Sequence, residues 1–242
     1  MKLLIIRHGD PDYSIDSLTP TGWKEAELLA NRISKLNVKA FYVSPLGRAK
    51  DTASVTLRSM GRTADVLPWL REFAPAGRDA NRTGGKPLWD WLPQDWTADP
   101  RFYHPDTWHQ TPYYAQVGAA KEAKWVANGL DTLLAEHGYV RQDKLYRADA
   151  PNEDTIVLFC HFGVECVLLG HLLGISPMVL WHGTCAAPTS VTTLITEERR
   201  EGVAYFRMCA FGDISHLYEA GQEPAFSARF CEMFTNTDQR HD

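Results

Sequence analysis

Paired cysteines are missing from this chain. Its five cysteines, at 160, 166, 185, 209 and 231, form no CxxC pair and leave one over, a pattern of reduced thiols that points to the cytoplasm. Positive charge is also in short supply. Lys and Arg number 25 against 30 Asp and Glu, for a formal net charge of −5, which excludes a broad nucleic-acid or anionic-membrane surface. No apolar run approaches membrane-spanning length, and Met1-Lys2 leads straight into a strand-like stretch. Neither a membrane span nor a signal peptide is therefore expected. No cluster of His, Cys, Asp or Glu has metal-ligand spacing, and there is no internal repeat beyond a recurring strand–helix plan. Any anion bound by this protein must be held by a few local cations.

What is present suits a large α/β domain. The 242 residues are 44% hydrophobic and 23% charged, enough for a full globular core. Residues 2–6 are short, continuous and Leu/Ile-rich, and read as a buried strand. "LTPTGWKEAELLANRISKL" places Thr19 as a helix N-cap and Pro20 at the first helical position. Ala26, Leu29, Ile33 and Leu36 then recur at helical spacing, so a helix is expected over about 20–36. "AFYVSPLGRAKDTASVTLRSM" repeats the plan, with a strand at 41–43, a Ser-Pro turn, and Arg48 in the first turns of a helix. "TIVLFCHFGVECVLLGHLLG" does so again: strand 155–160, His161, then an apolar helix ending near Gly174. Such alternation means a parallel sheet with right-handed crossovers. "SVTTLITEERREGVAYFRMCAF" then reads as two strands joined by a polar turn that extend the sheet.

Between about 73 and 114 the pattern breaks. This stretch is rich in Pro, Gly and aromatics, and holds Trp89, Trp91, Trp96 and Trp108. So many aromatics suit a cap packed on the sheet better than a linker. A helix over about 115–136 returns to the main pattern. The expected organisation is one domain over 1–242, with the cap insertion and a C-terminal tail over about 218–242. Within that tail "AFSARFCEMF" reads as a docking helix, and the last six residues as loose.

In an open parallel sheet, ligands sit beyond the carboxyl ends of the strands. Three strands deliver Arg7-His8, Arg48 and His161 there, each followed by a turn into a helix whose first N–H groups favour an anion. Each piece alone reads as bland: a solvated strand end, a surface arginine, a core histidine. Together, two guanidiniums and two imidazoles at one sheet edge describe a phosphate or carboxylate pocket.

These residues also carry a resemblance. "IIRHG", "SPLGRAKDTA" and "LFCHFG", in this order, with "LTPTG" before the first helix and "GDISHL" at 212–217, resemble the histidine phosphatase superfamily. The likeness covers roughly 2–72 and 125–217 and leaves the aromatic cap outside. It implies a phosphoglycerate-mutase-like, three-layer α/β/α sandwich with a mostly parallel sheet. It further implies that His8 is a nucleophile that takes the phosphoryl group, with Arg7, Arg48 and His161 clamping its oxygens and no cofactor or metal required. Glu72, in "PWLREF", stands where the family's general acid falls. Asp10 is a rival acid, although turn capping suits it equally, and Glu165 is a more remote one.

Departures from the family narrow the expected activity. Only eight residues, Asp10–Ser17, separate Gly9 from "LTPTG", and Ser14 stands where the family's Asn falls, as a further phosphate ligand. So short a loop disfavours a phosphoglycerate mutase and favours a phosphatase acting on a small organic phosphate monoester. A mutase and a non-catalytic phosphate-binding module stay as alternatives. Phe162 replaces a glycine common after the second histidine, either lining the pocket or packing under the helix. Arg78, Arg82 and Lys86 could reach a second anionic group or could be a solvated basic loop, and a homodimer is left open. One consequence concerns metals. Activity on an aryl phosphate is expected to be unchanged in excess EDTA, and a strict requirement for a divalent cation would contradict the clamp of arginines.

Overall fold

The computed structural model describes residues 1–75, 88–225 and 233–236. Its elements, in order, are β1 (Lys2–Arg7), β2 (Pro11–Asp12), β3 (Ser17–Leu18), α1 (Pro20–Ile33), β4 (Ala40–Val43), α2 (Gly47–Met60) and β5 (Asp65–Val66). There follow α3 (Pro93–Trp96), α4 (Pro112–Gln116), α5 (Ala119–Glu136), β6 (Tyr139–Gln142), β7 (Leu145–Ala148) and β8 (Thr155–Cys160). The chain continues through α6 (Phe162–Leu173), α7 (Pro177–Gly183), β9 (Val191–Arg200), β10 (Val203–Asp213) and α8 (Ser215–Glu219).

Eight strands form one sheet in the order β5-β4-β8-β1-β9-β10-β7-β6. Pairing is parallel from β5 through β4 and β8 to β1, then antiparallel through β9, β10, β7 and β6. Six of the eight strands thus run in one direction, with β9 and β7 opposed. This is the α/β fold with a mostly parallel sheet that the strand–helix alternation and the family resemblance implied.

The alternation of side chains along β1 explains the layers. Leu3 and Ile5 join a cluster with residues of α5, α6 and α7, whereas Leu4 and Ile6 join another with Leu29 and Ile33 of α1 and Ala49 and Ala53 of α2. Neighbouring residues point to opposite faces of a strand, so a continuous apolar run needs helices on both sides. Thr19 caps α1 by accepting the Gly22 N–H at 3.1 Å, and Pro20 occupies its first turn, as the sequence predicts. The helix stops at Ile33 rather than 36. The predicted 115–136 helix is interrupted instead of continuous: α4 ends at Gln116, and Gly118, at φ +73°, starts α5 afresh. A left-handed residue cannot continue a right-handed helix, and glycine takes that conformation without strain.

The described part of the cap shares the main core. Trp108 is buried, and it packs edge-on against Trp181 of α7 with ring centroids 5.3 Å apart. Trp89, Trp91 and Trp96 lie against the same cluster. Phe162 packs there too, under α6. Arg78, Arg82, Lys86 and the last six residues lie outside the described residues, as does most of the helix expected over 225–234. No helix among the described residues is long and apolar enough to cross a membrane.

One close approach ties the first loop to α1. A Cβ on Gly22 would stand 2.2 Å from the Asp10 carbonyl oxygen, and one on Gly9 would stand 2.7 Å from the Gly22 carbonyl oxygen. Gly22→Ala is therefore expected to lower unfolding free energy by about 1–3 kcal/mol, read as a drop in urea midpoint. An unchanged midpoint would mean that the two backbones have room to part.

Candidate active site

The carboxyl ends of β1, β4 and β8 lie side by side in the sheet, and the polar residues of interest leave from them. Arg7 ends β1 and His8 follows it; His161 follows β8; Ser44 follows β4, and α2 brings Arg48. All five side chains are buried, Arg7 at 3% exposure and Arg48 at 1%. The ladder continues past the strands into this region. His8 donates its N–H to the Cys160 carbonyl at 3.0 Å, and Ser44 donates to Phe159 at 2.9 Å. The two imidazoles meet with ring centroids 5.0 Å apart and planes inclined at 57°.

Tautomers follow from partners. His8 Nδ1 lies 2.7 Å from the Gly9 carbonyl oxygen. A carbonyl can only accept, so Nδ1 carries the proton and the neutral ring has its lone pair on Nε2. His161 Nε2 lies 2.7 Å from the Ser44 hydroxyl, whereas His161 Nδ1 is buried with no hydrogen-bond partner. Burial first, then Arg48, His8 and Arg7, hold the His161 pKa well below its ordinary value, so this ring is neutral at neutral pH.

The arginines are oriented by acceptors of their own. Arg7 Nη1 donates to the Ala186 carbonyl at 2.6 Å. Arg48 Nη1 donates to Asp16 Oδ1 at 2.6 Å, and the other oxygen of Asp16 accepts the Gly47 N–H at 2.6 Å. Asp16 sits at φ +49°, and Gly47 must be glycine, because a Cβ there would fall 2.0 Å from the Asp16 carbonyl oxygen. The Tyr13 ring lies 5.3 Å from the Arg48 guanidinium carbon. Short as it is, the loop over residues 10–17 folds into the β2–β3 ribbon and seats Arg48. Behind it, Thr52 accepts the Gly9 N–H at 2.9 Å and donates to the Arg48 carbonyl at 2.8 Å.

Two buried carboxylates stand nearby. Glu72 faces the first turn of α6: Oε1 accepts the N–H groups of Phe73 at 2.8 Å and Val164 at 3.1 Å, and Oε2 accepts that of Gly163 at 3.4 Å. A helix N-terminus is a favourable seat for an anion. Burial nonetheless raises the Glu72 pKa above its ordinary value, against the pull of these N–H groups and of Arg48. Trp89 of the cap crowds the same spot, since a Cβ on Gly163 would meet its ring at 2.4 Å and Glu72 Oε1 at 2.6 Å. Glu165, one turn along α6, is pushed up to about 7, by burial first, with the Thr192 hydroxyl and Arg7 opposing.

Arg7, His8, Arg48, Glu72 and His161 are thus gathered as the sequence predicts. Ser14 is not gathered with them. It is exposed, and both its N–H and its hydroxyl donate to Asp12 Oδ1, at 2.9 and 2.5 Å. A hydroxyl two residues beyond an aspartate closes this local turn at little cost. Asp10 accepts the hydroxyl of the α1 N-cap Thr19 at 2.7 Å, the turn-capping alternative. Asp16 and Ser44 were not foreseen. The left-handed residue and the loop closure that bring Asp16 to Arg48 leave no spacing signal in the sequence. Among the described residues no group of three or more His, Cys, Asp or Glu could hold a metal ion.

Comparison with known proteins agrees with this geometry. The sequence model of the histidine phosphatase superfamily, branch 1, matches residues 3–207, and the chain belongs to that family. A 2,3-bisphosphoglycerate-dependent phosphoglycerate mutase of Thermoplasma acidophilum is 32% identical over 95 residues, a match spanning 34% of this chain and 48% of the mutase. The chain thus spans about half the length of the curated relative it matches. The fold is similar to that of an Entamoeba histolytica phosphoserine phosphatase mutant in complex with phosphoserine, at TM-score 0.59 and 21% identity over 89% of this chain and 98% of that one. It is similar as well to a mycobacterial glucosyl-3-phosphoglycerate phosphatase, at TM-score 0.57 and 21% identity over 87% and 98% of the two chains.

The Glu165 shift has a stability consequence. A carboxyl whose folded pKa lies near 7, above an unfolded value of 4.5, stabilises the fold fully below pH 4.5. That contribution falls as pH rises and is gone above about 7. Glu165→Gln is therefore expected to gain stability relative to the parent between pH 5 and pH 8, measured by thermal unfolding at each pH. An equal difference at the two pH values would contradict the buried, proton-holding carboxyl.

Proposed function

We propose that this chain is a phosphoric monoester hydrolase that acts on a small organic phosphate through a phosphohistidine on His8. The observation that carries the reading is the meeting of two buried guanidiniums and two buried imidazoles, with His8 Nδ1 held by the Gly9 carbonyl so that Nε2 is the nitrogen left for attack. An unprotonated, fixed nitrogen is what attack on phosphorus requires. Membership in the family and the named substrates of its structural neighbours, which are small organic phosphates, support the same reading.

In this mechanism His8 Nε2 forms a bond to phosphorus while the ester P–O bond breaks. Arg7 and Arg48 meet the charge spread over the phosphoryl oxygens; with the Ser44 hydroxyl donating to His161 Nε2, the proton of that ring lies on Nδ1 and is donated to one of them. Cations fixed in this way supply the charge stabilisation locally. The leaving alkoxide takes a proton from Glu72, whose raised pKa keeps a protonated form available. Water then attacks the phosphohistidine, Glu72 recovers a proton from it, and the P–N bonding pair returns to Nε2. Phosphate leaves, and the starting state is restored.

A mutase is the second reading, favoured by the curated relative. It differs in the fate of the phosphoenzyme, which would pass its phosphoryl group to phosphoglycerate instead of water. The experiment is phosphate release from p-nitrophenyl phosphate by the parent and by His8→Ala. The variant is expected to lose about 1,000-fold or more in kcat/KM, while Glu72→Gln loses less with an aryl leaving group, which needs little protonation. Activity surviving in His8→Ala would overturn the nucleophile. Phosphoryl exchange on phosphoglycerate without phosphate release would select the mutase.

A further inference from the structure

The "GDISHL" segment has no part in the chemistry above, yet one residue, Thr189, links it to the backbone of His8. His216, in α8, is buried, and its Nε2 lies 3.1 Å from the hydroxyl of Thr189. Thr189 is fully buried and holds φ at +59°, a conformation that β-branched residues avoid. From there its N–H donates to the His8 carbonyl at 3.1 Å. His8 is therefore gripped on both sides, its N–H by Cys160 of β8 and its carbonyl by Thr189 at the entry to β9.

The hydrogen bonds run in one consistent direction. Arg32 carries only donors, so His216 Nδ1, 3.5 Å from Arg32 Nη1, is the acceptor there. The proton of the neutral ring then lies on Nε2 and is donated to the Thr189 oxygen. The Thr189 hydroxyl in turn donates to the Pro188 carbonyl at 2.7 Å. Arg32 is held by Asp213, at 2.6 Å between Nη2 and Oδ2. Burial, then Arg32, keep His216 neutral by lowering its pKa to about 4, with Asp213 opposing.

We propose that His216 is a positioning residue for the nucleophile: its Nε2–H holds Thr189 in the left-handed conformation from which the Thr189 N–H fixes the backbone of His8. Rotation of that peptide would release the His8 carbonyl and with it the aim of the ring, and an attacking atom displaced by about 1 Å costs on the order of 100-fold in rate. Because this rests on His8 being the nucleophile, the experiment must separate the two claims.

Three variants do so, read by steady-state kinetics and by rapid-quench detection of phosphoenzyme. His216→Leu keeps bulk but loses the donor, and is expected to lower kcat and the rate of phosphoenzyme formation by about 10- to 100-fold with KM nearly unchanged. His216→Gln keeps an N–H at the end of a comparable side chain and should restore most of that loss. His216→Leu combined with Thr189→Gly should also recover, since glycine takes positive φ without a prop. His216 also lines a cleft of about 610 Å³ between α1 and α8, open to solvent. Should His216→Leu not fold, His216→Ala supplies the same test, with added imidazole entering from the cleft and raising kcat. Equal losses in the Leu and Gln variants, or no recovery with Thr189→Gly, would reduce His216 to a packing role and overturn the proposal. Normal phosphoenzyme formation in His216→Leu would overturn it as well while leaving the nucleophile intact. Full activity in His8→Ala would instead remove the reading beneath it.

Discussion

Two guanidinium groups buried at one sheet edge are the constraint on which the rest of this structure depends. A buried cation is costly unless acceptors meet it, and Arg7 and Arg48 are nearly inaccessible. The Ala186 carbonyl meets one and the Asp16 carboxylate the other. The second of these acceptors explains what looks arbitrary nearby: the left-handed Asp16 and the obligatory Gly47. The same positive field, together with burial, keeps His161 neutral. In the proposed reading that same field is what meets a phosphoryl anion.

Glu72 and Glu165 illustrate how position divides two like groups. Both are buried and both have raised pKa values. Glu72, however, lies against the N–H groups that open α6, beside Trp89 of the cap, whereas Glu165 lies behind them near Thr192. In the proposed mechanism the first protonates the leaving group. The second acts on the fold through its proton. The aromatic cap meets Glu72 at one named contact, Trp89 beside Gly163, and its remaining tryptophans complete a core shared with α6 and α7.

Much of this was legible in the sequence wherever local rules coincide with the fold. The Thr19-Pro20 cap, the continuous apolar strands and the glycine stop at Gly174 mark their elements without reference to the rest of the chain. Strand–helix alternation then brings Arg7, His8, Arg48 and His161 to one edge by topology. The β6–β7 hairpin went unseen because its strands are only four residues each, too short for alternation to stand out. Asp16, Ser44 and Thr189 went unseen because each acts through loop closure or through a backbone conformation that no spacing encodes. Ser14, matched to a family position by count, lies exposed in a turn that Asp12 closes and that a count does not show.

The central claim is that phosphorus becomes bonded to nitrogen of His8. The most direct measurement is to quench the enzyme in alkali during turnover of a phosphate ester and map the modified peptide by mass spectrometry. The account predicts one acid-labile phosphoryl group on the peptide carrying His8, formed before phosphate appears. A phosphoryl group on any other residue, or turnover with no phosphoenzyme formed, would contradict it.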